Sequence, residues 1–244
     1  MKRCRNRGAA IPPFRIRQPE KGYRFSIDSV LLADFAAPYC GKSVLDLGTG
    51  SGVVLLLLAR RCVDLRQGAG VEIQRSLWEF ACRNIEENGF SDRLRAVLGD
   101  LRETLPGLSP RSFDLVVSNP PYRKIGEGRR NPDPRKEIAR HEVSCTLADL
   151  FSAAGNYLSR RGRFAFVCPA ARLPEAFALG ARTGIAPEVL RFVHPHADEP
   201  ANRVLAAGIR KEWADPVVLP PLVVYSARRR YHPEVEEIFA KCFR

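Results

Sequence analysis

No pair of cysteines in this sequence stands at the C-x-x-C spacing. The seven cysteines (Cys4, Cys40, Cys62, Cys82, Cys145, Cys168 and Cys242) are scattered, which argues against both a disulfide framework and a structural zinc site. Several sit in apolar runs, where a free thiol behaves as a small hydrophobe, and a reducing compartment is expected. Long hydrophobic stretches are also missing. The longest, Val53 to Ala59, is far too short to cross a bilayer. The first residues, Met1-Lys-Arg-Cys-Arg-Asn-Arg7, are basic without an apolar segment behind them, so no secretory signal is expected. No P-loop lysine accompanies the glycines at 48–52, which argues against that class of phosphoryl transfer. Acids are scarce beside bases, 27 against 39, for a net charge of +12. A chain this basic is expected to meet a polyanion. The expectation is a cytoplasmic protein without membrane or metal, its oligomeric state open.

What is present is one α/β domain, residues 21–244, behind a basic arm, residues 1–20. The arm holds five Arg and one Lys before Gln18 and reads as flexible or extended. A short helix is expected over 29–37, stopped by Pro38 and Gly41. Strands are expected at Ser43–Leu47, Ala69–Ile73, Leu94–Leu98 and Phe113–Ser118, with helices over Val53–Arg61 and Gln74–Asn88. That alternation predicts a largely parallel sheet with right-handed crossovers. Arg123 to His141 is a long loop with seven basic residues, a length that points to function or disorder. Beyond it, helices are expected at Thr146–Ser159, Pro174–Thr183 and Glu234–Cys242. Strands are expected at Arg163–Cys168, Glu188–Val193, Arg203–Ile209 and Val217–Tyr225, with a basic turn at Arg228-Arg-Arg-Tyr-His232.

Two stretches carry chemistry. The strand Phe113–Val117 runs into Ser118-Asn119-Pro120-Pro121-Tyr122, where the prolines end it abruptly. Ligands of open α/β sheets bind at such strand ends, and an amide, two ring-locked residues and an aromatic make a receptor for a flat polar group. The other stretch is Asp46-Leu-Gly48-Thr49-Gly50-Ser-Gly52, a glycine-rich strand-to-helix turn that brings backbone close to a ligand. Two more acids, Glu72 and Asp100, end the next strands. Acids at successive strand ends suit a ligand with hydroxyls and amine donors and little negative charge. S-adenosylmethionine has those features: Glu72 is placed for both ribose hydroxyls and Asp100 for the adenine N6.

Asp46–Gly52, Val71-Glu72-Ile73, Gly99-Asp100 (with Leu101 following) and Asn119-Pro-Pro-Tyr122 together resemble the ordered motif set of class I S-adenosylmethionine-dependent methyltransferases. The resemblance covers about residues 20 to 225. It implies a Rossmann-like, seven-stranded, mostly parallel sheet with helices on both faces and the last strand antiparallel. Within that superfamily the Asn-Pro-Pro-Tyr step marks enzymes that methylate planar nitrogens. An exocyclic amine is a poor nucleophile. Hydrogen bonds from its N–H groups to Asn119 Oδ1 and the Pro120 carbonyl favour a pyramidal nitrogen, while Tyr122 stacks on the base. Pro121 completes that catalytic set.

Phe25-Ser-Ile-Asp-Ser-Val-Leu-Leu-Ala33, Ala139-Arg-His-Glu142 and Ala201-Asn-Arg-Val-Leu205 are similar to the bacterial tRNA1(Val) adenine-37 N6-methyltransferase group. That resemblance implies tRNA as partner and a first stretch that closes over the methionine end of the cofactor through Phe25, Ser26 and Asp28. Where that group commonly has Thr-Asp-Gly, this chain has Ile27-Asp28-Ser29. A release-factor glutamine methyltransferase and an rRNA or DNA amino-methyltransferase are the alternative enzymes. An RNA-binding module on the same fold is the alternative without catalysis. His141-Glu142 reads as a loop anchor, and His194-Pro-His196-x-Asp198 as a loop rather than a metal site.

Overall fold

In a computed structural model the described residues are 14–20, 25–120, 145–228 and 230–243. The five residues of β1 (Ser43–Leu47) are all buried, as a central strand of a parallel sheet covered on both faces requires. It lies between β2 (Gln67–Glu72) and β4 (Phe113–Ser118), both parallel to it. Outside β2 runs β3 (Leu94–Leu98), and outside β4 run β5 (Leu158–Pro169), β7 (Arg203–Arg210) and β6 (Ile185–His194). The order 3-2-1-4-5-7-6 has β7 antiparallel to both neighbours. These are the seven strands expected. Two further two-residue strands, β8 (Val217–Val218) and β9 (Leu222–Val223), pair with β6 in parallel and extend the sheet to nine.

Alternate side chains along the strands feed two cores, as the period of two demands. Val44, Leu115 and Val117 face α1 (Ile27–Ala36), α2 (Val53–Arg61) and α6 (Pro233–Phe243). Leu45, Leu47 and Val116 face the opposite way, toward α4 (Leu147–Tyr157). There Phe151, Phe164 and Phe166 pack at ring separations of 5.0 to 5.3 Å, and α5 (Leu173–Thr183) lies against α4. The helix α3 (Arg75–Glu87) covers β2 and β3. The chain turns outward through β2 and β3, then returns to β4 on the other side of β1. That reversal opens a crevice at the carboxyl ends of β1 and β4.

Three expectations need correction. Val217–Tyr225 is not one closing strand, because Pro220-Pro221 interrupts it, and Tyr225–Ala227 (β10) leaves to pair with Arg230–Tyr231 (β11). The helix expected to Ser159 ends at Tyr157. There β5 begins at once, five residues earlier than its apolar run suggests. Residues 14–17, counted with the basic arm, are pinned to α3. Arg15 and Arg17 exchange backbone hydrogen bonds with the side-chain amides of Asn88 and Asn84 at 2.7–3.1 Å, and Arg17 pairs with Glu87 at 2.7 Å. Residues 1–13 lie outside the described residues, as does the 123–141 loop with His141 and Glu142. Among the described residues, no helix is long and apolar enough to cross a membrane.

Candidate active site

Gly48, Gly50 and Gly52 all adopt positive φ, at 72°, 58° and 84°, which is why β1 turns into α2 through glycines. The turn hangs on β2: the Gly48 and Thr49 amides both donate to the Val71 carbonyl at 2.9 Å. Beneath it Gly70 has no room for a side chain, since a Cβ there would stand 2.6 Å from Thr49 Oγ1. Thr49 in turn donates to Asp46 Oδ2 at 2.6 Å. The Asp46 carboxyl is buried, and burial, with the nearby Glu72 charge, pushes its pKa up to about 7 against the Thr49 hydrogen bond. Glu72 is also buried. Its oxygens accept from the Gly50 and Gln74 amides at 2.9 Å each, and burial outweighs those bonds and raises its pKa.

Two hollows flank this turn. The larger, about 690 Å³, is lined by Gly48, Gly50, Glu72, Asp100 and Pro120, with Ile73, Leu77 and Leu101 as apolar walls. The smaller, about 260 Å³, is lined by Phe25, Ser29, Asp46, Gly48, Thr49 and Asn119. An apolar-walled cleft with a strand-end carboxylate lies beside a polar hollow over a buried acid, a pairing that suits a ligand with a ring system at one end and a polar end at the other. Ile73, although apolar, is 38% exposed, which suits a side chain meant to cover a ring.

Other residues expected here are placed differently. Asp100 is already engaged: its carboxylate accepts from the Arg102 amide and guanidinium at 2.9 Å, and Arg102 holds its pKa below the ordinary value. It caps the turn that follows β3 as well as lining the cleft. Asp28 turns to Arg203 Nε, 3.5 Å away, and lines neither hollow; Ser26 stands at the N-cap of α1 and lines neither. Gly52 serves as the left-handed N-cap of α2. Pro121 and Tyr122 lie outside the described residues. His194 ends β6, and its Nδ1 is 2.8 Å from the Glu199 carbonyl oxygen. Among the described residues, no group of three or more His, Cys, Asp or Glu is arranged to hold a metal ion.

Sequence reasoning missed Ser29. The side chain is buried in the first turn of α1, and its hydroxyl accepts a 2.9 Å hydrogen bond from Asn119 Nδ2. Next door, Ser118 Oγ donates to the Leu47 carbonyl at 2.7 Å and ties the end of β4 to the end of β1. Asn119 Oδ1 has no hydrogen-bond partner among the described residues. Asn119 and Pro120 thus stand where the two hollows adjoin, one lining each.

Residues 26–179 match the family model described as the methyltransferase small domain. The chain belongs to that family. This methyltransferase is 32% identical over 190 residues to a Pedobacter heparinus protein named tRNA1(Val) (adenine(37)-N6)-methyltransferase, covering 78% of the chain and 79% of that protein. A Porphyromonas gingivalis protein of the same name is 32% identical over 234 residues, 91% of the chain and 89% of its own length. Among solved structures, a predicted O-methyltransferase from Agrobacterium tumefaciens superposes with a TM-score of 0.69 at 21% identity, over 88% of this chain and 96% of that one. A geranyl diphosphate C-methyltransferase from Streptomyces coelicolor gives 0.56 at 16% identity, over 74% and 80%. The methyl donor of this enzyme is S-adenosylmethionine, and the class I architecture expected from its motifs is the one it has, with β8 and β9 added to the seven strands.

Proposed function

We propose that this methyltransferase places a methyl group on the N6 nitrogen of an adenine in tRNA. The observation that carries the reading is the Asn119 amide: its nitrogen is committed to Ser29 at 2.9 Å, so its oxygen is left as an acceptor beside the cofactor hollow. An acceptor oxygen there, with the Pro120 carbonyl following it, suits an amine that presents two N–H groups and needs its lone pair turned out of conjugation. S-adenosylmethionine supplies an electrophilic methyl on a sulfonium. Asn119 Oδ1 and the Pro120 carbonyl hold the amine hydrogens, and the surplus proton of the product leaves to water. Tyr122 follows in sequence as the aromatic face for the base. Phe25, whose amide donates to Gln18 Oε1 at 2.9 Å, walls the methionine side. Glu72 and Asp100 take the ribose and adenine ends.

The names of the relatives and the net charge of +12 support tRNA as the partner. A target base inside a folded RNA has to be turned out of its stack to reach the site.

The deciding experiment supplies the enzyme with labelled S-adenosylmethionine and, separately, unmodified total tRNA, rRNA, DNA and release factor. Each is then digested and the methylated product identified. The expected product is N6-methyladenosine, in tRNA alone. N5-methylglutamine, or label confined to rRNA or DNA, overturns the reading.

A further inference from the structure

The strands β10 and β11 form a hairpin apart from the main sheet, and its position follows from the register of β9. Leu222 and Val223 run parallel to the last residues of β6, Val193 and His194. The next two amides, Val224 and Tyr225, donate to the carbonyls of His194 and Pro195 at 2.8 and 2.9 Å. The chain therefore continues past the carboxyl end of β6. Because β6 is antiparallel to β7, and β7 to β5, that end lies on the same sheet edge as Asn119.

A hairpin of two such short strands is unstable alone. This one is braced by a ladder of rings. Tyr225 stacks on Tyr231 at 5.3 Å and 14°, Tyr231 on Phe239 at 5.3 Å and 24°, and Phe239 on Phe243 at 5.9 Å and 17°. His196 adds to one end at 5.6 Å, and Phe14 meets Phe243 at 5.6 Å at the other. The ladder runs down α6 and fixes the hairpin to the body. What it holds out is charge: Arg228 and Arg230 are exposed, their side chains take part in no ion pair or hydrogen bond among the described residues, and Arg229 stands between them in sequence. Like charges gathered on a braced support without counter-ions are placed for an anion.

We infer that the 225–231 hairpin is a docking finger for the phosphate backbone of the RNA substrate, gripping it beside the target nucleotide. The inference rests on the RNA reading above and adds where the RNA lies: across the carboxyl edge of the sheet, from the Asn119 pocket toward β6.

The test compares two double variants that lose the same charge. Arg228→Ala with Arg230→Ala alters the finger. Arg160→Ala with Arg161→Ala alters two exposed arginines at the start of β5, on the opposite edge. Methylation of unmodified total tRNA and its affinity are measured from low to physiological salt, with cofactor affinity and melting temperature as checks on folding. The finger variant is expected to raise KM for tRNA roughly tenfold with kcat little changed. It is also expected to flatten the slope of log affinity against log salt by about 1.5, the release expected for two phosphates. The β5 variant is expected to leave both alone. Equal effects of the two variants, or an unchanged salt slope in the finger variant, overturn the finger while leaving the enzyme's reading intact. If the unaltered protein neither binds nor methylates tRNA, it is the RNA reading that fails.

Discussion

The two halves of the active site are built by different means. On the cofactor side most of the polar groups are held by backbone. The glycine turn hangs from Val71, Glu72 is clamped by two amides, and the Gly70–Thr49 approach leaves no slack under Asp46. On the acceptor side, the orientation of Asn119 is set by one side-chain hydrogen bond from a helix 90 residues away in sequence. In the proposed assignment, recognition of an unchanging cofactor is written into the sheet, whereas the group that would meet the substrate is poised on a single adjustable contact.

That contrast is most sharply tested at Asn119. Asn119→Ala is expected to lower kcat by roughly a hundred- to a thousandfold, the scale seen when one preorganised hydrogen-bonding group is lost. Cofactor affinity, measured by calorimetry, should barely move. Normal turnover in this variant would remove Asn119 from the chemistry.

Glu72→Gln should do the reverse. An amide NH2 would replace one of the two oxygens that accept from Gly50 and Gln74. Cofactor dissociation constants are then expected to rise by about tenfold or more, with kcat at saturation little changed. A kcat defect at unchanged affinity would mean that the two halves are not separable.

The next effect is one of pH. Burial holds the Asp46 pKa near 7 in the cofactor-free protein, so at pH 6 most of it is protonated. A cationic cofactor end favours the ionised form. Affinity should therefore rise by up to about tenfold per pH unit below 7 and level off above it, with a proton released on binding at the lower pH. The folded state also binds this proton more tightly than the unfolded chain, whose carboxylates titrate near their ordinary value. Asp46 thus makes the cofactor-free fold less stable as pH rises through that window. Asp46→Asn should flatten both profiles, and an unflattened affinity profile would place the titrating group elsewhere.

The smallest change is expected from Ser29→Ala. Loss of one hydrogen bond frees the Asn119 amide to rotate and should cost about fivefold in kcat, restored in part by Ser29→Thr, with cofactor affinity constant. An unchanged kcat would show that Asn119 is oriented by substrate alone.

How much of this is visible in the sequence depends on how local the cause is. The segments Ser43–Leu47, Val53–Arg61, Leu94–Leu98 and Phe113–Ser118 are read to the residue, because apolar period, glycines and prolines mark their own ends. The placement of Asp46, Glu72 and Asp100 beside the hollows is legible for the same reason: each stands at or near the end of its strand. Asp100 carried a warning in plain view, since the Asp-Leu-Arg step invites the turn and ion pair that now occupy it. Val217–Tyr225 is apolar enough for one strand, but Pro220-Pro221 breaks it in two. Ser29 and the ring ladder had no local signal at all. One depends on a partner at position 119, and the other gathers rings from Phe14 to Phe243.

The fully buried Asn84 has a consequence of another kind. Its amide nitrogen donates both to the Arg17 carbonyl and to the Ser51 carbonyl, and its oxygen accepts from the Arg17 amide. One side chain thus closes two segments that are remote in sequence, the strap ahead of α1 and the glycine turn that meets the cofactor. Lifting either one takes away partners that fix the amide against the other. In hydrogen exchange the two segments should behave as one cooperative unit, so that filling the cofactor hollow also slows the opening of the strap.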